Sequence, residues 1–310
     1  MSGNGHIPVL LDEVVNALDP SPGETFVDGT TGRGGHASAI ARRLNPGGTI
    51  ILNDLDPANV EHTRARVRSE VEGVTILTQQ GNFADIPRKF TEQNVVIDGL
   101  LLDLGFASTQ MDDAARGFSF QREGALDMRY DRSIGLSAAE FIETISEAEL
   151  ESILREYGEE RSARRIARKL VEARSQSPIT TTSRLASVVA SAVGGRSAHG
   201  RIHPATRTFQ ALRIAVNDEL ASLRSILESI GRSCAASKRG TGTHWLAPGA
   251  RIAVIGFHSL EDRPVKRAFA QLEERGLATR LTRRPITPSE DEIARNPRSR
   301  SAKLRAVRIE

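Results

Sequence analysis

Acidic side chains and a glycine-rich turn stand where short apolar runs of this sequence end. The run Thr25–Asp28 ends in an acid, and Gly32-Arg-Gly-Gly-His-Ala37 follows it with the spacing GxGxxA. Such a turn joins a strand to a helix and lets a nucleoside ligand approach the backbone closely. The motif by itself is weak evidence for any one ligand, and NAD remains an alternative.

Two features of this turn fit S-adenosylmethionine better than NAD. Asp28 closes the strand, and three residues separate it from Gly32. In dinucleotide enzymes the glycines follow the strand at once, so that the pyrophosphate meets the helix N-terminus. S-adenosylmethionine has no phosphate, and it carries an ammonium and a cationic sulfonium that acids beside the turn would suit.

A second acid follows the next apolar run. Asp54 stands twenty residues after Gly34, the spacing of an acid that accepts hydrogen bonds from both ribose hydroxyls. Asp56 precedes Pro57 and is expected to cap the following helix. We therefore assign the ribose contact to Asp54.

A third acid, Asp103, follows the run Gly99–Leu102. Because ligands of open α/β sheets sit outside the carboxyl ends of the strands, Asp103 is expected to face the same crevice as Gly34 and Asp54. Enzymes that methylate exocyclic amines commonly carry an acceptor-rich Asp-Pro-Pro-Tyr loop here, and Asp-Leu-Gly-Phe matches it in part. An acceptor for the amine hydrogens helps the nitrogen to become tetrahedral. Asp103 is thus the catalytic candidate, with an ordinary strand-end turn as the alternative.

The elements that carry these residues alternate as in a doubly wound α/β domain. The nearly all-leucine run before Asp103 is typical of a parallel strand buried on both faces. Strand-like runs are absent between this one and residue 251, where helical patterns prevail, two of them opened by Ser-x-x-Glu capping boxes at Ser137 and Ser146. The predicted strands are Thr25–Asp28, Thr49–Asn53, Val74–Thr78, Gly99–Leu102, Arg251–Phe257, Ala278–Leu281 and Leu304–Ile309.

This pattern predicts one α/β domain split by a helical insertion. Residues 1–110 and 216–310 would form the two parts of the α/β domain, and 111–215 a helical domain that recognises the substrate. The polar, glycine-rich segment Gly231–Thr243 is interpreted as a flexible connection. Predicted helices include Ala37–Leu44, Glu159–Arg174, Thr182–Val193 and Phe209–Ile230.

Composition limits the class of protein. A hydrophobic fraction of 39% can form a core, and a single cysteine, Cys234, excludes an internal disulfide and a cysteine-clustered zinc site. No apolar stretch approaches the roughly 20 residues that cross a bilayer, and the N-terminus lacks a signal-peptide pattern, so we expect a soluble cytoplasmic protein without a membrane partner. Only five of the 42 basic residues are lysines. This arginine bias fits an RNA partner, and a GC-rich coding sequence would explain it equally well.

Eight segments, in order along nearly the whole chain, carry a resemblance to a known family. They are HIPVLLDEVV, DGTTGRGGH, LLLDLGFASTQMDDAARGFSF, LDMRYD, YGEERSARRIA, HPATRTFQALRIAVNDEL, FHSLEDRPVKR and NPRSRSAKLR. The sequence resembles the RsmH (MraW) family, which methylates N4 of a cytidine in the decoding region of 16S ribosomal RNA. It departs from the family at NDLDP, where an Asp-Arg-Asp-Pro type sequence is usual, and around Cys234, where it resembles an insertion.

The resemblance implies a class I methyltransferase fold with an inserted helical domain. It implies S-adenosyl-L-methionine as cofactor and 16S ribosomal RNA, within the small ribosomal subunit, as partner; a homodimer is left open. The methyl group would pass by direct in-line attack of the cytosine N4, with no covalent intermediate and no metal. The implied cofactor contacts are Gly34, Gly35, His36, Asp54, Phe83, Asp103 and Gln110.

Basic segments are candidates for RNA contacts. The C-terminal stretch is rich in arginine, and we single out Arg298 and Arg300 there as substrate-binding residues. A second group of arginines shares one face of the predicted helix Glu159–Arg174, where it would follow phosphates or form only a solvated face. This second group is Arg161, Arg164, Arg165 and Arg168.

Three further residues are candidates for substrate binding. Arg207 and Asn217 are hard to explain as core residues, so we expect them at the crevice. His258 follows a predicted strand and should reach the crevice rim. Metal binding by His258, Glu261 and Asp262 is conceivable, but a capped helix start explains these residues better.

Two other classes of protein remain as alternatives. One is an NAD-dependent Rossmann oxidoreductase, and the other a non-catalytic ribosome-assembly factor with a vestigial cofactor pocket. The intact Gly34, Asp54 and Asp103 favour methyl transfer. The cofactor that the purified protein retains would distinguish the oxidoreductase from a methyltransferase. A labelled-methyl assay would distinguish the non-catalytic factor from an enzyme.

Overall fold

The structure, a computed structural model, describes residues 7–105, 108–194, 203–240 and 242–310. The chain divides into two compact units, Met1–Gly105 with Leu220–Glu310, and Phe106–Glu219. The first unit contains the strands. They are β1 (Thr25–Asp28), β2 (Thr49–Asp54), β3 (Thr75–Gln80), β4 (Ile97–Asp103), β5 (Leu246–Gly256), β6 (Ala278–Arg280) and β7 (Lys303–Ile309).

Helices fill most of the remaining described chain. In chain order they are α1 (Leu11–Leu18), α2 (Gly35–Leu44), α3 (Pro57–Glu70), α4 (Ile86–Gln93), α5 (Ser108–Asp112), α6 (Ala138–Thr144), α7 (Glu147–Glu156), α8 (Ala163–Gln176), α9 (Thr182–Val193), α10 (Ala205–Val216), α11 (Glu219–Arg239), α12 (Ser259–Glu274) and α13 (Glu290–Arg295). Helices α5 to α10 belong to the second unit, and the others to the unit that contains the strands. In the part of the chain that the structure describes, no helix combines the length and apolarity needed to cross a membrane.

The strands form one sheet in the order β3-β2-β1-β4-β5-β7-β6. Strands β1 to β5 pair in parallel, and β7 pairs antiparallel with both of its neighbours. The chain winds outward from β1 to β3 and then returns to β4, so the winding direction reverses between β1 and β4. Ligands of such sheets bind at the carboxyl ends of the strands beside this reversal. The predicted class I methyltransferase sheet is confirmed.

Strand β4 shows why this sheet is covered on both faces. Leu100, Leu101 and Leu102 are fully buried, and successive leucines point to opposite faces. Leu100 and Leu102 belong to one apolar core and Leu101 to the other. Helices on both sides of the sheet explain why the strand is apolar throughout rather than alternating.

The second unit, the helical one, has an apolar core of its own. Both predicted capping boxes are confirmed: Ser137 and Ser146 accept from the backbone N–H groups of Glu140 and Glu149, at the starts of α6 and α7. In α8 the buried side chains repeat at helical spacing and leave the opposite face to solvent. The core of this unit therefore follows from local patterns.

Two predictions about residues 209–243 are wrong. The predicted helix Phe209–Ile230 is interrupted, because α10 ends at Val216 and Asp218 adopts a left-handed φ of 51°. The segment Gly231–Thr243 is not a flexible connection, since α11 continues through it to Arg239. Cys234, 1% exposed, packs in the core there, so burial of small side chains outweighs the polar, glycine-rich composition.

Candidate active site

Three acids lie at the carboxyl ends of neighbouring parallel strands. Asp28 ends β1, Asp54 ends β2 and Asp103 ends β4. In the pairing register, Asp28 lies opposite Leu52 of β2 and Leu101 of β4. Because parallel strands end at the same edge, the structure brings together the three acids that the sequence placed after separate apolar runs.

The glycine turn connects β1 to α2 and is tied to Asp54. Gly32 donates its backbone N–H to Asp54 Oδ2 at 2.9 Å, and its carbonyl oxygen accepts from Thr63 Oγ1 at 3.1 Å. Gly34 has a φ of 77°, and a Cβ there would lie 2.9 Å from Thr63 Cγ2. A Cβ at Gly35 would lie 2.3 Å from Pro8 Cγ. Glycine is therefore needed for the turn to pack at both positions, independently of a ligand.

Asp54, at the end of β2, and Asp56, two residues later, make different contacts. Asp56 caps α3, since its Oδ1 accepts from the N–H of Ala58 at 3.0 Å, and this prediction is confirmed. Asp54 accepts instead from the backbone of Gly32 and, at 2.9 Å, from the N–H of Asp56. Burial raises the pKa of Asp54 to about 6. Its ribose contact stays a prediction.

The two carboxylate oxygens of Asp103 have different surroundings. Its backbone N–H donates to Thr30 Oγ1 at 2.7 Å, and its Oδ2 lies 3.6 Å from Nδ1 of His36. Among the described residues, its buried Oδ1 has no hydrogen-bond partner. Burial, followed by the charges of Asp28 and Glu261, raises the pKa of Asp103 well above its usual range.

Asp28 is the residue that the sequence analysis left out of its site assignments. It is 1% exposed, and burial raises its pKa to about 7, although its Oδ1 accepts from the N–H of Thr30 at 3.2 Å. The nearby charge of Asp54 raises the pKa further. Its position at a strand end directly before a glycine turn was the available signal.

The carboxylate acceptors at this edge suit a cationic ligand with hydroxyl groups. Burying a carboxylate without a partner is unfavourable, and a positive charge nearby offsets that cost. The raised pKa values of Asp28, Asp54 and Asp103 mark this cost, and Asp103 Oδ1 is an unused acceptor among the described residues. The ammonium, sulfonium and ribose of S-adenosylmethionine fit these three acids.

A buried asparagine holds the loops of the site in place, and sequence reasoning missed it. Asn53 Nδ2 donates to the carbonyl oxygens of Gly29, at 2.9 Å, and Gly81, at 3.1 Å. It thus joins the loop after β1 to the loop after β3. Phe83 begins a 3-10 turn two residues after Gly81 and is half-buried against the core. The structure therefore places Phe83 at the strand edge that carries Asp54.

Gln110, the last of the predicted cofactor ligands, lies in α5 of the helical unit and is 5% exposed. Its predicted contact stays a prediction. Phe106 and Ala107 of the same segment lie outside the described residues.

The predicted substrate residues are distributed over both units. Arg298 and Arg300 are exposed on a 3-10 turn, Pro297–Ser301. His258 precedes α12 as its N-cap, and Glu261 accepts from the backbone N–H of His258 at 3.3 Å. This is the capped helix start that the sequence favoured. The RNA contacts themselves stay predictions.

Asn217 and Arg207 have partners within the helical unit. Asn217 Nδ2 donates to the carbonyl oxygens of Met128, at 2.7 Å, and Arg213, at 2.9 Å, and its Oδ1 accepts from the N–H of Tyr130 at 2.8 Å. These bonds hold the Asn217 side chain within the helical unit, and its RNA contact stays a prediction. The exposed Arg207 donates to the carbonyl oxygen of Glu159 at 3.3 Å.

The arginines of the predicted basic helix face are exposed. Exposure is expected both for a face that contacts phosphates and for one that is only solvated. Three of them lie on α8, opposite its buried side chains, but the helix begins at Ala163, so Arg161 precedes it. The predicted start at Glu159 is therefore too early, since the chain takes a left-handed φ of 46° there.

Comparison with known proteins decides the family of this chain. Residues 3–310 match the family model described as the MraW methylase family. The chain belongs to this family. It is 46% identical to "Ribosomal RNA small subunit methyltransferase H" of Pelobacter propionicus, over 99% of both chains. It is 47% identical to the proteins of that name from Syntrophotalea carbinolica, over 98% of this chain and 97% of the relative, and Deinococcus radiodurans, over 97% and 88%.

As a member of the MraW methylase family, the protein is a methyltransferase, and S-adenosyl-L-methionine is its cofactor. The predicted family resemblance is confirmed. The assignment also excludes the NAD-dependent oxidoreductase, in agreement with the three acids at the strand ends.

Proposed function

We propose that this protein transfers a methyl group from S-adenosylmethionine to N4 of a cytidine in the decoding region of 16S ribosomal RNA. The observation that carries the proposal is the acceptor Asp103 Oδ1, which has no partner among the described residues and lies at the carboxyl end of β4. Relatives bearing the name of a small-subunit ribosomal RNA methyltransferase support the class of substrate. The N4 position rests on the resemblance of the motifs.

Bound S-adenosylmethionine supplies an electrophilic methyl group on a cationic sulfur. The task of the protein is then to position the cytosine amine and to make its nitrogen a better nucleophile. Asp103 Oδ1 accepts a hydrogen bond from the amine, which withdraws the nitrogen lone pair from the ring and favours tetrahedral geometry. Holding the two reactants in line favours transfer without a covalent intermediate, and the amine nitrogen releases one of its two protons to solvent as it gains the methyl group.

The cofactor is held by residues at the same edge of the sheet. Asp54 accepts from the ribose hydroxyls, and Phe83 packs beside the nucleoside. The backbone of Gly34 and Gly35, where the turn after β1 enters α2, contacts the cofactor. His36 completes the set at this edge. Gln110, in the helical unit, is the further cofactor contact in the proposal.

RNA recognition belongs to residues of both units. Phe106–Glu219, the helical unit, corresponds to the predicted recognition domain 111–215, and there Arg207 and Asn217 are the candidates. In the other unit His258, Arg298 and Arg300 are the candidates. The substrate is the RNA within the small ribosomal subunit, in the cytoplasm. Sedimentation of the purified protein tests the homodimer that the sequence left open.

Nucleoside mass spectrometry of ribosomal RNA from cells with and without this gene tests the proposed function. Loss of N4-methylated cytidine from 16S ribosomal RNA in the deletion strain is expected, with recovery by the wild-type gene. Transfer of labelled methyl groups from S-adenosylmethionine to small subunits of the deletion strain is the matched test in vitro. A protein that binds these subunits and transfers no methyl group would instead be a non-catalytic assembly factor.

A further inference from the structure

A groove lined by arginines lies between α11 and α12 of the unit that contains the sheet. Its volume is about 1160 Å³. Its floor is apolar, since the buried Leu227, Trp245 and Leu272 line it. A single acid, Glu228, accompanies six arginines. These arginines are Arg224, Arg232, Arg239, Arg263, Arg267 and Arg275.

The arginines form a row along each helix. On the α12 side, Arg263 and Arg267 are one helical turn apart, and Arg275 follows eight residues later, so the row spans about 18 Å at 1.5 Å per residue. On α11 the arginines recur after eight and seven residues, which keeps them on one side of the helix. The groove therefore presents two facing lines of positive charge.

Most of these arginines form no ion pair with an acid in the part of the chain that the structure describes. Arg232 lies 3.8 Å from Glu228, and both side chains are largely exposed, so their ion pair is weak. Within the described ranges, four of the six arginines form no ion pair. They are Arg224, Arg239, Arg267 and Arg275. Concave surfaces of one sign concentrate the field and attract ligands of opposite charge.

The groove also has a defined direction relative to the strand ends. Helix α12 begins at Ser259, directly after the carboxyl end of β5, so its first turn lies at the edge that carries Asp103. From there the arginine row of α12 runs toward the opposite edge of the sheet. An anionic chain in the groove would therefore lead toward the edge where the proposed methyl transfer occurs.

We propose that this groove binds the phosphodiester backbone of RNA that flanks the target nucleotide, an inference that rests on the proposed function. Guanidinium groups match phosphate oxygens in pairs, and the apolar floor accommodates sugars between the two rows. A second copy of the chain is the competing occupant. Each copy has a net charge of +3, and the groove has one acid, so charge complementarity favours RNA over a second copy.

A pair of double variants with equal loss of charge tests the proposal. Arg224→Ala/Arg267→Ala removes one exposed arginine from each row. Arg43→Ala/Arg68→Ala, the control, removes two exposed arginines from the last turns of α2 and α3. Binding to an unmodified 16S ribosomal RNA transcript is measured over a series of salt concentrations, together with cofactor affinity and the thermal midpoint.

The groove variant should bind the transcript roughly tenfold more weakly at low salt, because two phosphate contacts are lost. The slope of log affinity against log salt should fall by about 1.4, at roughly 0.7 for each single-strand contact. The control should keep the wild-type slope. Both variants should keep the wild-type cofactor affinity and thermal midpoint. If the groove variant does not fold, Arg267→Gln against Arg68→Gln makes the same comparison.

Equal RNA affinity of the groove variant and the control would overturn the proposal. So would a change in sedimentation with unchanged RNA binding, since the groove would then be an interface between copies. Failure of the proposed function is distinct from both results. A wild-type protein that transfers no methyl group to ribosomal RNA refutes that function, whereas the loss of RNA binding in the groove variant would still support the groove.

Discussion

Nδ1 of His36 lies 3.6 Å from Oδ2 of Asp103. The other ring nitrogen, Nε2, donates to the carbonyl oxygen of Val9 at 2.9 Å, which fixes the orientation of the ring. The imidazole thus faces one carboxylate oxygen and leaves Oδ1 without a partner among the described residues. The His36 ring therefore lies beside Oδ2, and in the proposed reaction Oδ1 is the oxygen that meets the amine.

Asp103→Asn should slow methyl transfer more than it weakens cofactor binding. The amide keeps the size of the side chain but removes its charge, and its NH2 group would face the amine hydrogens. Loss of one preorganised polar partner costs about 2.7–4 kcal/mol, or roughly 10²–10³ in rate. Single-turnover methyl transfer at saturating S-adenosylmethionine measures this step. A wild-type rate there would leave Asp103 as a cofactor ligand only.

Asp54→Ala should weaken S-adenosylmethionine binding by about 1.5–3 kcal/mol, the value of hydrogen bonds to a charged group. Because Asp54 also holds Gly32 and Asp56, Asp54→Asn is the matched control, which keeps one acceptor oxygen and should lose less. Calorimetry on folded protein measures both affinities. Wild-type affinity in Asp54→Ala would reject the ribose assignment.

Cofactor affinity should rise with pH through the range of about 6 to 7. The pKa values of Asp54, about 6, and Asp28, about 7, lie above the usual 3.8, so both acids are partly protonated there without a ligand. A cationic ligand prefers their ionised forms, so binding at pH 6 releases protons. Calorimetry in two buffers of different ionisation enthalpy counts these protons; no release would contradict the predicted contact between cation and acids.

The same two acids should make the protein without cofactor less stable as the pH rises. A carboxyl group whose pKa is raised in the folded state stabilises the fold fully below its unfolded pKa, here 3.8. That contribution is lost as the pH rises through about 6 to 7. Denaturant unfolding with and without S-adenosylmethionine should therefore show the largest stabilisation by the cofactor at the upper end of this range.

Gly34→Ala should destabilise the protein more than Gly47→Ala. Both glycines have a left-handed φ, 77° and 83°, which costs alanine about 1–2 kcal/mol. Only at Gly34 does the new Cβ also meet Thr63, at 2.9 Å, whereas nothing lies within 4 Å of it at Gly47. Equal losses of unfolding free energy in denaturant titrations would show that the turn relaxes around the added methyl group.

Arg298→Glu/Arg300→Glu should weaken RNA binding and reduce its dependence on salt, because both side chains are exposed on the turn before β7. Substitution is preferable to truncation, since deletion from Asn296 onward would also remove β7 from the sheet. Unchanged RNA affinity and an unchanged salt slope would exclude these two arginines from the interface.

Local patterns in the sequence were enough to predict most of the elements and three strand-end residues. Strand β1 and helix α9 have the predicted bounds, and among the strands β5 differs most, since it begins at Leu246 rather than Arg251. Asp54 and Asp56 were distinguished correctly as a strand-end acid and a helix cap, because capping depends on the few residues that follow. These features depend on spacing over a few residues, which is visible in the chain itself.

Only the tertiary structure decided how these residues meet. Asn53 joins loops that follow different strands, and His36 lies beside an acid 67 positions further along the chain. The continuation of α11 past Gly231 likewise depends on a core supplied by distant strands and helices. Composition favoured a flexible segment there, but burial of its small side chains outweighs local preference. Such contacts join residues far apart in sequence, so their partners are fixed by the packing of the sheet and not by any local pattern.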